Sequence, residues 1–200
     1  MAEKKAPKDS KAAQTPAPVG EFVSDIQELR RRARRHIRDG AVTQGYLADR
    51  KTVISVLNEA LATEIVCVLR YKRHYFMATG IHANAVAAEF LQHANDEQGH
   101  ADRIAGRITQ LDGEPDFSPE GLAMRSHSEY KEGRSLVDMI REDLVAERIA
   151  IESYGEIVRF LGERDITSRR LMEEILAVEE EHADDLKNLL ATLDPTKVGA

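Results

Sequence analysis

Glu97-Gln98-Gly99-His100-Ala101-Asp102 is repeated in outline as Glu179-Glu180-Glu181-His182-Ala183-Asp184. In a helix, a carboxylate and an imidazole three residues apart leave the same face one turn apart. Pointing inward, such a pair has the spacing of two ligands for one metal. One copy on an exposed helix carries little weight. Two copies in one acidic chain point to a dinuclear site.

Outward from these motifs the chain reads as helix throughout. Apolar residues recur with helical period over roughly 49–79, 82–112, 135–161 and 166–193. Thr79-Gly80 divides the first two segments and Gly162-Glu163 the last two, so each pair forms an antiparallel hairpin. The stretch 113–134, with Gly113, Pro115, Pro119, Gly121 and Gly133, divides the halves. At about 3.3 Å per extended residue it reaches roughly 70 Å, and a 28-residue helix is only about 42 Å long. The connection can therefore run the length of the bundle and set the second and third segments parallel. The expected fold is all-α, a four-helix bundle with one long crossover over 46–194.

Distances from the turns bring further residues to the motifs. Gly80 lies 16 residues after Glu64 and 17 before Glu97, and Gly162 lies 15 after Glu147 and 17 before Glu179. Residues equidistant from a hairpin turn sit side by side, so Glu64 faces Glu97–His100 and Glu147 faces Glu179–His182. Each of these two glutamates also leads to a tyrosine seven residues on, Tyr71 and Tyr154. The halves thus repeat each other, and a pseudo-twofold bundle offers symmetric ligands to two metals. Four carboxylates and two imidazoles buried without a cation would be very costly. Oxygen and imidazole donors without thiolate suit iron or manganese better than a structural zinc.

Composition narrows the class. The chain has 200 residues, one cysteine (Cys67) and no tryptophan. One cysteine excludes an intramolecular disulfide or a cysteine-rich cluster, and it suggests a reducing, cytoplasmic address. No apolar stretch is expected to approach the roughly 20 residues of a membrane span. Residues 1–50 carry 11 Lys/Arg against 7 Asp/Glu, whereas 51–200 carry 17 against 28. Residues 1–22 read as a disordered basic tail, 23–45 as an Arg-rich helix (Arg30, Arg31, Arg32, Arg34, Arg35, Arg38) with a linker, and 195–200 as a short tail. His36, His74, His82 and His127 read as surface histidines, and Cys67 as a small packed residue.

From about Asp49 to Leu193 the chain resembles bacterioferritin and other ferritin-like proteins. The likeness is carried by Leu57-Asn58-Glu59-Ala60-Leu61-Ala62-Thr63-Glu64, Asp96-Glu97-Gln98-Gly99-His100-Ala101-Asp102-Arg103, Glu142-Asp143-Leu144-Val145-Ala146-Glu147, and Glu173-Glu174-Ile175-Leu176 through His182. A Glu from each of two helices plus Glu-x-x-His from the other two is the pattern of ferritin-like di-iron proteins. The resemblance implies a ferroxidase centre holding two iron ions per chain. Glu64 and His100 would terminate one iron, Glu147 and His182 the other, and Glu97 and Glu179 would bridge. Iron(II) would be oxidised by dioxygen or hydrogen peroxide, in the service of iron storage or detoxification. Tyr71 matches a tyrosine beside the family's site, where it would donate an electron; a packed core tyrosine explains it as well.

Departures from the family pattern carry their own expectations. Gln98 stands where haem-binding members have methionine, so haem is not expected. The family's fifth helix has no counterpart, which disfavours a 24-subunit shell and leaves a dodecamer or a dimer. The inner-surface iron of some members uses a His and an Asp; Asp96 matches the latter, but Gln92 stands at the histidine position, with His93 next to it. The basic N-terminal arm resembles that of DNA-protecting miniferritins, which grip phosphates by counterion release. The alternatives are therefore a DNA-protecting protein, or a di-iron or di-manganese peroxidase on the same bundle.

Overall fold

A computed structural model describes residues 25–193. Their regular structure is α1 (Ile26–Ala33), α2 (Arg50–Met77), α3 (Ala83–Gln110), α4 (Leu122–Arg125), α5 (Leu136–Leu161) and α6 (Ile166–Leu193), with a 3-10 turn at Ile37–Asp39. No strand occurs among the described residues. The expected tails at 1–22 and 195–200 lie outside them.

Local chemistry sets the helix starts. Asp49 accepts from the Thr52 N–H at 3.2 Å ahead of α2, and Ser135 from the Asp138 N–H at 3.2 Å ahead of α5. Asp165 accepts from the Ser168 N–H at 2.9 Å ahead of α6. Each cap satisfies a donor that has no partner inside the helix. At the α5–α6 turn the chain reverses through Gly162, whose φ of +48° costs a glycine no steric penalty. Within the 23–45 segment expected to hold an Arg-rich helix and a linker, α1 ends at Ala33, and His36 takes a left-handed φ of +49°. No residue of α1 is buried, so nothing in the bundle holds its last turn.

α2 packs on α3 and α5 on α6, and the two hairpins meet through α2–α5 and α3–α6. Side chains along α2 fix the path of the crossover. Asn58 Nδ2 donates to the Glu114 carbonyl and Asn58 Oδ1 accepts from the Asp116 N–H. Thr63 Oγ1 accepts from the His127 N–H, Arg70 donates to the Glu129 carbonyl, and Arg73 to the Glu132 carbonyl. The loop therefore climbs α2 from Asn58 to Arg73, about 23 Å at 1.5 Å per residue. It delivers α5 antiparallel to α2 and parallel to α3, as its length predicts.

Two apolar clusters fill the bundle. One gathers Leu57, Leu61, Ile104, Ile108, Tyr154, Met172 and Ile175, and the other Tyr71, Val86, Phe90, Ile140 and Leu186. Each fully buried aliphatic side chain contributes about 1.5–3 kcal/mol.

Two expectations need correction. His74 is fully buried, not a surface histidine: its Nδ1 lies 2.8 Å from Asp143 Oδ2, and its Nε2 faces the Lys131 and Glu132 carbonyls at 3.0 and 3.1 Å. Arg70 Nε donates to the other oxygen of Asp143 at 2.8 Å. The cluster clamps the end of the crossover between α2 and α5. Second, α2 is long and apolar enough to cross a membrane, with an 18-residue stretch of mean hydropathy 1.7. Its position accounts for that composition. As the helix between α3, α5 and the crossover, it buries Val53, Leu57, Leu61, Val66 and Tyr71 together with the polar Glu64, Arg70 and His74.

Candidate metal centre

Between the two apolar clusters, α2, α3, α5 and α6 each turn acidic or imidazole side chains inward. Glu64, Glu97, His100, Glu147, Glu179 and His182 are all at most 4% exposed. Potential ligand atoms of Glu64, Glu97, His100 and Glu179 lie within 4.8 Å of one another, as do those of Glu97, Glu147, Glu179 and His182. Glu97 and Glu179 belong to both groups, so the six residues form two adjoining clusters that share an edge. All six carboxylate and imidazole residues expected as ligands from the sequence come together.

Both histidines turn Nδ1 to this shared edge. His100 Nδ1 lies 3.0 Å from Glu179, 3.4 Å from Glu97 and 3.5 Å from Glu64. His182 Nδ1 lies 3.4 Å from Glu179 and 3.6 Å from Glu97. Asp96 approaches the other nitrogen of His182 at 3.4 Å, the position from which an outer carboxylate orients a ligating imidazole.

The two tyrosines support the outer glutamates across the hairpin interface. Tyr71 on α2 donates to Glu147 on α5, and Tyr154 on α5 donates to Glu64 on α2 at 2.5 Å. Tyr154 was not among the expected site residues, although its seven-residue spacing from Glu147 repeats that of Tyr71 from Glu64. His93 was missed as well. It is fully buried, stacks on His182 with ring centroids 3.9 Å apart, and reaches the Tyr71 hydroxyl at 3.2 Å. Its signal was the spacing 93–97–100, which places all three residues on one helix face.

Charge crowding shifts the site's protons. Burial, then the charges of Glu97 and Glu179, push the Glu64 and Glu147 carboxyls well above the usual range. Burial opposes the imidazolium of His100, but Glu179, Glu64 and Glu97 outweigh it and its pKa is pushed up to about 12. For His182, burial is likewise outweighed, by Glu179, Glu97 and Glu147, and the value rises to about 11. Burial also opposes the charge on Glu97, yet the close approach of Glu64, His100 and His182 holds it below the usual carboxylate range. Burial, followed by the charge of His182, lowers His93 to about 3.

The donor atoms fit a metal. Glu64 Oε2, Glu97 Oε1, His100 Nδ1, Glu147 Oε2, both Glu179 oxygens and His182 Nδ1 are buried without a hydrogen-bond partner. Buried polar atoms are nearly always satisfied, so this set, gathered in the two adjoining clusters, makes them candidate cation positions. Elsewhere the expected residues behave more plainly. Glu59, Glu180 and Glu181 are exposed, Cys67 is buried 3.6 Å from Arg70 Nη2, and Gln98 is exposed and donates to Asp102 at 3.1 Å.

Comparison with known proteins gives this arrangement its relatives. The model of the ferritin-like domain matches residues 54–195. Bacterioferritin from Desulfovibrio desulfuricans is 31% identical over 147 residues, covering 72% of this chain and 78% of its own. The crystal structure of a bacterioferritin from the same species, a protein with a diiron site, superimposes with a TM-score of 0.65 at 28% identity, over 74% of this chain and 82% of its own. A dodecameric thioferritin, the bacterioferritin-related protein from Bacteroides fragilis, does so with a TM-score of 0.72 at 33% identity, over 77% and 92%. The chain belongs to the ferritin-like family and, within it, is a relative of the bacterioferritins.

Proposed function

We propose that the protein is a ferroxidase: it oxidises Fe(II) to Fe(III) at a dinuclear centre inside the bundle, for iron storage or detoxification. The observation that carries this reading is that Glu97 and Glu179 belong to both clusters. Two carboxylates placed to bridge, each cluster completed by one further glutamate and one histidine, suit two like cations side by side. In this reading Glu64 and His100 hold one iron, Glu147 and His182 the other.

Iron is the substrate, and a pair of ferrous ions supplies two electrons. Hydrogen peroxide taking both, with two protons, leaves as two waters; dioxygen taking both, with two protons, leaves as peroxide. The chain's own part is to hold the pair and manage protons. His100 and His182 give up their extra protons when metal binds. Tyr71 and Tyr154 keep Glu147 and Glu64 oriented.

The test is anaerobic addition of two Fe(II) per chain followed by air. A diferric absorbance transient at that stoichiometry is expected, and Glu97→Ala is expected to abolish it. Oxidation by Glu97→Ala at the wild-type rate would remove the assignment.

The same reading includes a homo-oligomer. Leu69, Phe76 and Met77 on α2 and Val145 and Phe160 on α5 leave apolar surface exposed, Phe76 to 78%, in the manner of a subunit contact. A dodecamer of this 22.4 kDa chain would weigh about 270 kDa by native mass measurement. DNA binding is the second reading, on the ground that Arg30, Arg31, Arg34, Arg35 and Arg38 are exposed around α1. A gel shift comparing the full chain with a protein truncated to begin near Tyr46 tests it. Equal binding by the two would remove the arm from the argument.

A further inference from the structure

We infer that Glu89, His93 and Asp185 form a third divalent-cation site, of Fe(II) or Zn(II) type, on the outer side of the dinuclear centre. Potential ligand atoms of these three residues lie within 4.8 Å of one another. Glu89 and His93 are four residues apart on one face of α3, and Asp185 comes from α6, three residues beyond His182. A carboxylate and an imidazole from one helix, joined by a carboxylate from its neighbour, make an oxygen/nitrogen set for a divalent cation.

The independent sign is the Nε2 atom of His93. The Tyr71 hydroxyl has one proton, which goes to Glu147. Its oxygen can therefore only accept from His93, so the His93 proton sits on Nδ1, 3.2 Å from that oxygen. This leaves the lone pair on Nε2. Nε2 is buried, has no hydrogen-bond partner, and points at Glu89 Oε1 from 3.4 Å. That separation is beyond a good N–H···O bond, and it sets two acceptors face to face. Asp185 brings a second carboxylate to the same point. A cation resolves the opposition, and the hydrogen bond at Nδ1 orients the ring as outer partners of ligating histidines do.

The location adds a role. Asp185 is exposed, Glu89 half-buried and His93 fully buried, so the three grade from solvent to interior. His93 also lies within 4.8 Å of ligand atoms of Glu147 and His182. A cation held here is one step from the dinuclear centre, a staging position for Fe(II).

Zinc binding to the full-length protein tests this without any oxidation chemistry. Calorimetric titration with Zn(II) alone is expected to give three equivalents for wild type and two for Glu89→Gln/Asp185→Asn. Asp185→Asn alone leaves the core untouched and should weaken the third equivalent at least tenfold. Anomalous scattering from zinc-soaked crystals should place a peak about 2.0–2.2 Å from His93 Nε2 and a Glu89 oxygen. Equal stoichiometry in wild type and the double variant, or no peak at His93, overturns the proposal. If Glu97→Ala loses the inner equivalents and keeps the outer one, the third site stands. It also stands if wild type binds a single zinc that only Glu89→Gln/Asp185→Asn removes, although the dinuclear reading then fails.

Discussion

The hydroxyl of Tyr154 on α5 donates to Glu64 Oε1 on α2 at 2.5 Å, and its counterpart Tyr71 on α2 returns the contact to Glu147 on α5. Each half of the repeat thus steadies the glutamate of the other half. The exchange ties the two hairpins together at the level of the site, where apolar packing is interrupted by charge.

Removing either hydroxyl should loosen that tie. Leaving a buried acceptor unsatisfied costs about 1–3 kcal/mol, so Tyr154→Phe and Tyr71→Phe should each lower metal-free stability by about that much. Denaturant unfolding with and without Zn(II) checks this. The loss should shrink in the metal-loaded protein, where a cation satisfies the orphaned carboxylate instead; an equal loss in both forms would count against the ligand roles of Glu64 and Glu147.

Stability against pH should change sign with metal. In the metal-free protein, folded His100 and His182 titrate near 12 and 11, against 6.5 unfolded. A raised folded value contributes stability that is complete below the unfolded value and is lost as pH rises through the folded one. Metal-free stability should therefore decline from about pH 6.5 towards 11. The raised carboxyls of Glu64 and Glu147 add to the decline above pH 4.5. Glu97, held low, acts oppositely in acid: its contribution is present above 4.5 and lost as pH falls through its folded value. Metal binding releases these protons, so between pH 6 and about 8 the zinc-loaded protein should gain stability with pH. Thermal melts of both forms would show the opposed slopes; parallel slopes would refute it.

Asp143 should matter to the fold more than any surface acid. It takes Arg70 and His74 at 2.8 Å each, in a cluster at most 1% exposed. Removing one partner of a buried ion pair costs about 3–5 kcal/mol. Asp143→Ala should lower the denaturation midpoint accordingly and expose residues 126–134 of the crossover to protease. An unchanged cleavage rate would mean that the clamp does not hold that loop.

Shared and unshared ligands should differ in zinc stoichiometry at the inner site. Glu97→Ala and Glu179→Ala each damage both clusters, whereas Glu64→Ala and Glu147→Ala damage one. The first pair should lose both inner equivalents and the second pair one. Indistinguishable losses from all four variants would contradict the bridging arrangement.

Much of this was legible in the sequence. Helical periodicity placed the four long helices to within about two residues, because one face of each must be apolar over its whole length. Glycine punctuation gave the hairpins, and counting from Gly80 and Gly162 brought Glu64 and Glu147 to the level of the two Glu-x-x-His motifs. The length of the crossover fixed how the hairpins are arranged. These features depend on spacing along one helix or across one turn, which the chain itself carries.

What only the tertiary structure decided are the pairings between helices distant in sequence. His74 shares a face with Glu64, Cys67 and Tyr71, yet its burial depends on Asp143 and on the crossover carbonyls, 57 to 69 residues away. His93 sits in register with Glu97 and His100, but its stacking on His182 and its contact with Tyr71 arise where α2, α3 and α6 converge. The exchange of tyrosines between the halves has the same origin. Local spacing sets the face from which a side chain leaves its helix. Which group it meets there depends on how closely the hairpins approach and on which atoms lack another partner, and both are properties of the packed molecule.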